Sequence, residues 1–149
     1  VGTYSSLRWG TIPARAQWLG ADAEHTIIFC FYHLRFLKLM DTLENIKQQI
    51  ADNAILLYMK GSPNAPQCGF SMRASQAMMA CGKRFAYVDI LSNPDIRAEL
   101  PKYANWPTFP QLWVKGELIG GCDIIMEMYE NGELKTLIDE ASAEGEGEG

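Results

Sequence analysis

Ala54-Ile55-Leu56-Leu57-Tyr58-Met59-Lys60-Gly61-Ser62-Pro63-Asn64-Ala65-Pro66-Gln67-Cys68-Gly69-Phe70-Ser71 is the stretch that decides the fold. The run from Ala54 to Met59 is continuously apolar, as in a strand buried on both faces. Gly61 to Gln67 is crowded with turn residues and reads as a loop. A helix is predicted from about Gly69 to Cys81, closed by Gly82 in the position that glycine favours just past a helix end. Cys68 therefore stands at the mouth of a helix. Free N–H groups and the helix dipole there favour the thiolate and lower a cysteine pKa below its ordinary value of about 8.5. Lys60, at the end of the strand, adds a positive charge nearby. The plain alternative is a small apolar residue in packing, but a segment with Gly61, Pro63, Pro66 and Gly69 leaves Cys68 partly exposed.

Working outward, Thr42 is placed to cap a helix whose apolar positions are Leu43, Ile46 and Ile50. Phe85 to Ile90 reads as the next strand, and Asn93-Pro94 opens a short helix with proline at its first position. Trp106-Pro107-Thr108-Phe109-Pro110 is a stiff loop punctuated by proline. Gln111 to Val114 and Glu117 to Ile119 flank Lys115-Gly116 as a tight hairpin. Gly120-Gly121 ends that hairpin, and Asp123 starts a helix with Ile124, Ile125 and Met128 inward. A last helix carries Leu134, Leu137 and Ile138. The order α-β-α-β-α-β-β-α-α gives an α/β domain, a four-stranded mixed sheet flanked by helices. No internal repeat is present.

The chain divides at Met40. Residues 1–39 mix Gly, Trp, Arg and Pro without clear periodicity and read as a leader, foreign to the domain or disordered. Its apolar run from Ile27 to Tyr32 is far short of the ~20 residues that cross a bilayer. Arg8, Arg15 and Arg35 would suit a mitochondrial transit peptide, but Asp22 and Glu24 count against one. Residues 40–141 form the domain, and 142–149, alternating Glu and Gly from Glu144, read as a disordered acidic tail.

Composition narrows the function classes. Apolar residues make up 48% of the 149 and charged residues 21%, ordinary for a globular protein. A net charge of −5 with scattered Lys and Arg leaves no electrostatic footprint for nucleic acid, and no segment suits a membrane. The four cysteines, Cys30, Cys68, Cys81 and Cys122, show neither zinc spacing nor a dense disulfide framework. That usage fits a reducing compartment, and a cytoplasmic location is expected. Both histidines, His25 and His33, fall in the leader, so the domain has no Cys-His nucleophile and no His-ligated metal site.

In Cys68-Gly69-Phe70-Ser71, Ser71 occupies the place where a disulfide oxidoreductase carries its second cysteine. Cys68 must work with an external thiol, with another cysteine, or by different chemistry. This motif, the preceding Lys60 to Gln67, Trp106-Pro107-Thr108-Phe109-Pro110 and Gly120-Gly121-Cys122-Asp123 occur in one order. Together they resemble the monothiol CGFS glutaredoxins, particularly the bacterial single-domain form, from Met40 to about Ala141. The resemblance implies a thioredoxin fold and a groove for glutathione. Lys60 and Arg97 would meet its glycyl carboxylate, and Thr108, Phe109 and a cis Pro110 would face its cysteinyl part. Backbone N–H groups at Cys122 would hold the γ-glutamyl carboxylate, with Asp123 on the ammonium. Each residue also has a plainer reading. Asp123 is a good helix cap, Arg97 a solvated charge, Gly120-Gly121 a turn, Cys81 core, and Trp106 and Trp113 ordinary aromatics.

Iron–sulfur clusters usually take four thiolate ligands, and Cys68 alone is insufficient. The resemblance implies a labile [2Fe–2S] cluster bridging a homodimer, with Cys68 as the protein's metal ligand and two glutathiones completing the set. It implies a cluster carrier for apo iron–sulfur proteins, with BolA-like proteins as partners. An alternative is a glutathione-dependent thiol–disulfide oxidoreductase that removes glutathione from proteins through Cys68. A redox-inactive thioredoxin-fold adaptor is a third reading, opposed by the presence of Lys60, Cys68, Arg97 and Asp123 together.

Overall fold

The computed structural model describes residues 23–145, with side chains from 31 to 143. Helix α1 (Ala23–Asp52) leads into β1 (Ile55–Met59), a small ladder of β2 (Gly61–Ser62) and β3 (Ala65–Pro66), and α2 (Gly69–Ala80). Then follow β4 (Ala86–Asp89), α3 (Pro94–Tyr103), β5 (Gln111–Val114), β6 (Glu117–Gly120), α4 (Cys122–Glu130) and α5 (Glu133–Gly145). The sheet order is β4-β1-β5-β6. Strand β1 runs parallel to β4 and antiparallel to β5, and β6 is antiparallel to β5. This is the thioredoxin fold, a mixed four-stranded sheet with helices on both faces.

All five residues of β1 are buried because successive side chains serve opposite cores. Ile55, Leu57 and Met59 pack with Ala74 and Met78 of α2, Ile125 of α4, and Leu134 and Ile138 of α5. Leu56 and Tyr58 join Ile46 and Ile50 of α1 and Ile96 and Leu100 of α3. The fully buried Tyr58 donates its hydroxyl hydrogen to Gln49 Oε1 at 3.0 Å, so burial leaves no orphan. Lys115 and Gly116 turn the β5–β6 hairpin with φ of 50° and 84°, the paired positive values of a two-residue turn.

Four local expectations differ from the structure. Thr42 does not cap α1; it lies inside the helix, its Oγ1 donating to the Lys38 carbonyl at 3.0 Å. No Gly or Pro occurs from Ala23 to Asn53, so nothing breaks the helix upstream of Thr42. The 61–67 loop closes on itself, with Ser62 opposite Ala65. Asp123 is not the cap of α4: Gly121 is, with extended backbone, and Asp123 sits in the first turn. At the other end α5 carries past residue 141, and Ser142 Oγ donates to the Ile138 carbonyl at 2.7 Å.

The chain divides into two units at Arg35 and Phe36, and the sheet belongs to the second. Of the first unit residues 23–35 are described, as part of α1. The rest of the expected leader, and residues 146–149 of the expected tail, lie outside the described residues. Among the described residues no helix is long and apolar enough to cross a membrane.

Candidate functional site

Cys68 is the N-cap of α2, its backbone extended at φ −152° and ψ 139° while its carbonyl accepts the first helical bond from Met72 N–H at 2.9 Å. No side-chain capping hydrogen bond forms at Cys68, but the backbone N–H groups of Ser71 and, less strongly, Phe70 at the start of α2 hold its pKa below the ordinary thiol value. Burial opposes them, and the field of Lys60, the weakest of these influences, acts in their direction. The helix mouth read from the sequence is therefore real, and peptide N–H groups, more than Lys60, favour the thiolate.

The segment before Cys68 is fixed by its peptide groups. Lys60 N–H donates to Ser71 Oγ at 3.1 Å, and the Lys60 carbonyl accepts from Gln67 N–H at 2.9 Å. Gly61 N–H donates to Asp89 Oδ1 at 2.8 Å. Gly61 has φ +85°, and a Cβ there would lie 2.5 Å from the Ala65 carbonyl oxygen, so only glycine closes this hairpin. Ser71 is fully buried, its hydroxyl bound to the end of β1 where a dithiol protein would carry its second sulfur.

The opposite wall is the loop between α3 and β5. Gln111, fully buried, donates through Nε2 to the carbonyls of Trp106 (3.0 Å) and Thr108 (3.3 Å) and accepts from Trp113 Nε1 (3.3 Å). The Phe109–Pro110 peptide is cis, as expected. Between the walls lies a groove of about 680 Å³. It brings together Lys60, Cys68, Arg97, Thr108, Phe109, Cys122 and Asp123. Pro110 is buried and does not line the groove, so its ring is no part of the groove surface. Gly121 keeps the wall close, since a Cβ on it would come within 3.3 Å of Trp106 Nε1, a buried donor without a partner among the described residues.

The groove thus combines a favoured thiolate, two cations from different elements, and an acid in the first turn of α4. Cys122 lines it but is buried, and burial pushes its thiol pKa up, so it is a weaker nucleophile than Cys68. Cys81 packs in the core with its S–H directed to the Ala77 carbonyl at 3.3 Å, and burial raises its pKa too. The core reading of Cys81 stands. Among the described residues no group of three or more His, Cys, Asp or Glu is arranged to hold a metal ion. A metal at Cys68 would need ligands from beyond the described residues.

Sequence reasoning missed Gln111, Asp89 and Phe70. A polar residue opening the strand Gln111-Leu112-Trp113-Val114 was a usable signal for the first. Asp89 meets Gly61 across 28 residues, which no local pattern shows. Phe70, 56% exposed at the rim, had no signal beyond being an apolar residue beside the thiol.

A thioredoxin fold with one activated cysteine at a helix mouth, facing a cis-proline loop, defines a single-cysteine thiol protein. The chain belongs to the glutaredoxin family, whose model, described as Glutaredoxin, matches residues 55–119. It is 74% identical to glutaredoxin 4 of Escherichia coli (strain K12) over 102 residues, 68% of this chain and 89% of that protein. Glutaredoxin 4 of Haemophilus influenzae (strain 86-028NP) is 70% identical over 104 residues, 70% of this chain and 97% of that protein. Among solved structures, the buckwheat glutaredoxin–glutathione complex aligns with a TM-score of 0.62 at 25% identity, over 70% of this chain and 94% of that one.

Proposed function

We propose that this protein binds glutathione in the Cys68 groove and carries a labile [2Fe–2S] cluster shared between two copies of the chain. The observation that carries the reading is the pairing of a thiolate-favoured Cys68 with a buried Ser71 at the resolving position. The site can bind a soft metal or attack a disulfide, but cannot complete a dithiol cycle within its own motif. The groove fits glutathione chemically. Lys60 and Arg97 suit the glycyl carboxylate, the Thr108–Phe109 backbone the cysteinyl part, and the start of α4 with Asp123 the γ-glutamyl end. The glutathione-bound relative supports that assignment.

The donor set supports a shared cluster as cargo. Among the described residues of one chain Cys68 is the activated thiolate, so two chains and two glutathione thiolates make the four ligands such clusters usually take. In this reading apo iron–sulfur proteins receive the cluster, BolA-like proteins replace one protomer, and the site of action is the cytoplasm. A second reading, a glutathione-dependent oxidoreductase, is favoured by the same lowered Cys68 pKa, since thiolate is the attacking species.

Anaerobic reconstitution with iron, sulfide and glutathione tests the choice. Visible absorbance, circular dichroism and sedimentation are followed for the wild type and Cys68→Ser. Charge-transfer bands and a dimer that both require glutathione and Cys68 are expected. A colourless monomer overturns the carrier reading, and release of glutathione from a mixed disulfide then decides for the oxidoreductase.

A further inference from the structure

We propose that Asp89 is the positioning residue of the groove: one carboxylate at the end of β4 holds the peptide that follows Lys60 and the turn that leads to Arg97. The first arm is the bond from Gly61 N–H to Oδ1 at 2.8 Å. With Ser71 Oγ on Lys60 N–H and Gln67 N–H on the Lys60 carbonyl, every peptide group around Lys60 is then fixed. The direction in which its side chain leaves the backbone follows. The second arm runs to the connection before α3. Leu91 N–H donates to the same Oδ1 at 2.9 Å, Ser92 Oγ donates to Oδ2 at 2.7 Å, and Asn93 Nδ2 donates to the Asp89 carbonyl at 2.8 Å. Asn93 caps α3, and its carbonyl accepts from Arg97 N–H at 3.0 Å.

Lys60 and Arg97 lie 37 positions apart in sequence, on elements with no direct backbone pairing, yet both line one groove. Asp89 is the side chain bonded to the segments that carry both. Asp89 itself is absent from the groove lining, so it acts through these segments and not on a ligand. Its role is separable from capping alone, because the Gly61 bond contributes nothing to the β4–α3 turn. The inference rests on the groove reading only in taking Lys60 and Arg97 as the cations that face an anionic ligand.

The test compares alkylation of Cys68 by anionic iodoacetate and by neutral iodoacetamide at fixed pH, read at Cys68 by peptide mass in the full chain. Lys60 and Arg97 held at the groove favour the anionic reagent. In Asp89→Ala the ratio of the two rates falls by about three-fold, the scale of one displaced charge near a protein surface. Merely deleting a negative charge would raise that ratio, so the sign separates positioning from bulk electrostatics. Asp89→Asn, which keeps an oxygen acceptor for Gly61, stays at or above the wild-type ratio. In a Lys60→Ala background the fall caused by Asp89→Ala shrinks, because both changes act on one charge. An Asp89→Ala ratio at or above wild type in folded protein overturns the proposal. Should that variant not fold, hydrogen exchange of the wild type decides. Gly61 N–H exchanging as slowly as the β1 ladder supports the latch, and exchange at the rate of an open loop overturns it. No glutathione enters either measurement, so failure of the glutathione reading and failure of this one are distinct results.

Discussion

At Cys68 the chemistry depends on two peptide N–H groups before it depends on any side chain. The largest contributions to its lowered pKa come from the N–H groups of Ser71 and Phe70, and the Lys60 ammonium adds less. The rate of Cys68 alkylation by iodoacetamide against pH should therefore have its midpoint below the ordinary thiol value. Lys60→Ala should raise that midpoint only slightly, whereas a midpoint restored to the ordinary value by this change would make Lys60 the main cause. The same shift has a consequence for folding. A group whose pKa is lowered in the folded state adds stability at pH values above the unfolded thiol pKa. That increment is lost as pH falls through the folded value. The Cys68→Ser variant should lack this alkaline increment, and denaturation curves at pH 6 and pH 9.5 would read the difference.

Among the elements, α4 brings Cys122 and Asp123 to the groove with little local support. It is nine residues long, Gly121 caps it without a side-chain hydrogen bond, and its buried residues are Cys122 and Ile125. Ile125 is fully buried in the core with Leu57, Met78 and Leu134, so packing holds the helix start where Cys122 and Asp123 meet the groove. Ile125→Ala should cost about 2–5 kcal/mol in chemical denaturation. Under conditions where it remains folded it should also bind glutathione more weakly. Unchanged affinity would mean that the close contact of Gly121 with Trp106 positions the helix by itself. The element also shows what a sequence discloses. The helix of Cys68 was legible because a buried apolar run and a turn-rich loop announce it, and β1, α2 and the β5–β6 hairpin stand where the pattern put them. The cap of α4 was not. Asp is a stronger local signal than Gly, yet here an extended glycine lets the chain pass close to Trp106, and that demand comes from a loop distant in sequence. The beginning of α1 was missed for the opposite reason. Thr42 suggested a start, while the lack of any breaker upstream let the helix run through it. Asp89 belongs to neither case, since its partner is set only by tertiary folding.

For the molecule as a whole, the question is how much chain the fold needs. Among the described side chains of α1 the buried ones are Thr42, Ile46 and Ile50, and every residue from Phe31 to Lys38 is exposed, Tyr32 at 73%. Among the described residues before Met40, Lys38 pairs with Asp95 at 3.2 Å, the two side chains 69% and 55% exposed. Such a pair contributes about 0–1 kcal/mol. Among the described residues, both cores draw on residues after Met40. We therefore propose that residues 40–141 are the folding unit. A chain of residues 40–149 should unfold in urea within about 1 kcal/mol of the full chain, with the same cooperativity, because the burial that drives folding is retained. It should also keep the Cys68 reactivity, since among the described residues none before Met40 lines the groove. The exposed Phe31, Tyr32, Leu34, Phe36 and Leu37 add an apolar surface that the shorter chain lacks. Self-association of the full chain at high concentration, absent from the shorter one, would assign that surface to the leader and leave the glutathione-dependent dimer to Cys68. A loss of several kcal/mol on truncation would instead make the upstream helix part of the fold, and the boundary at Met40 would have to move.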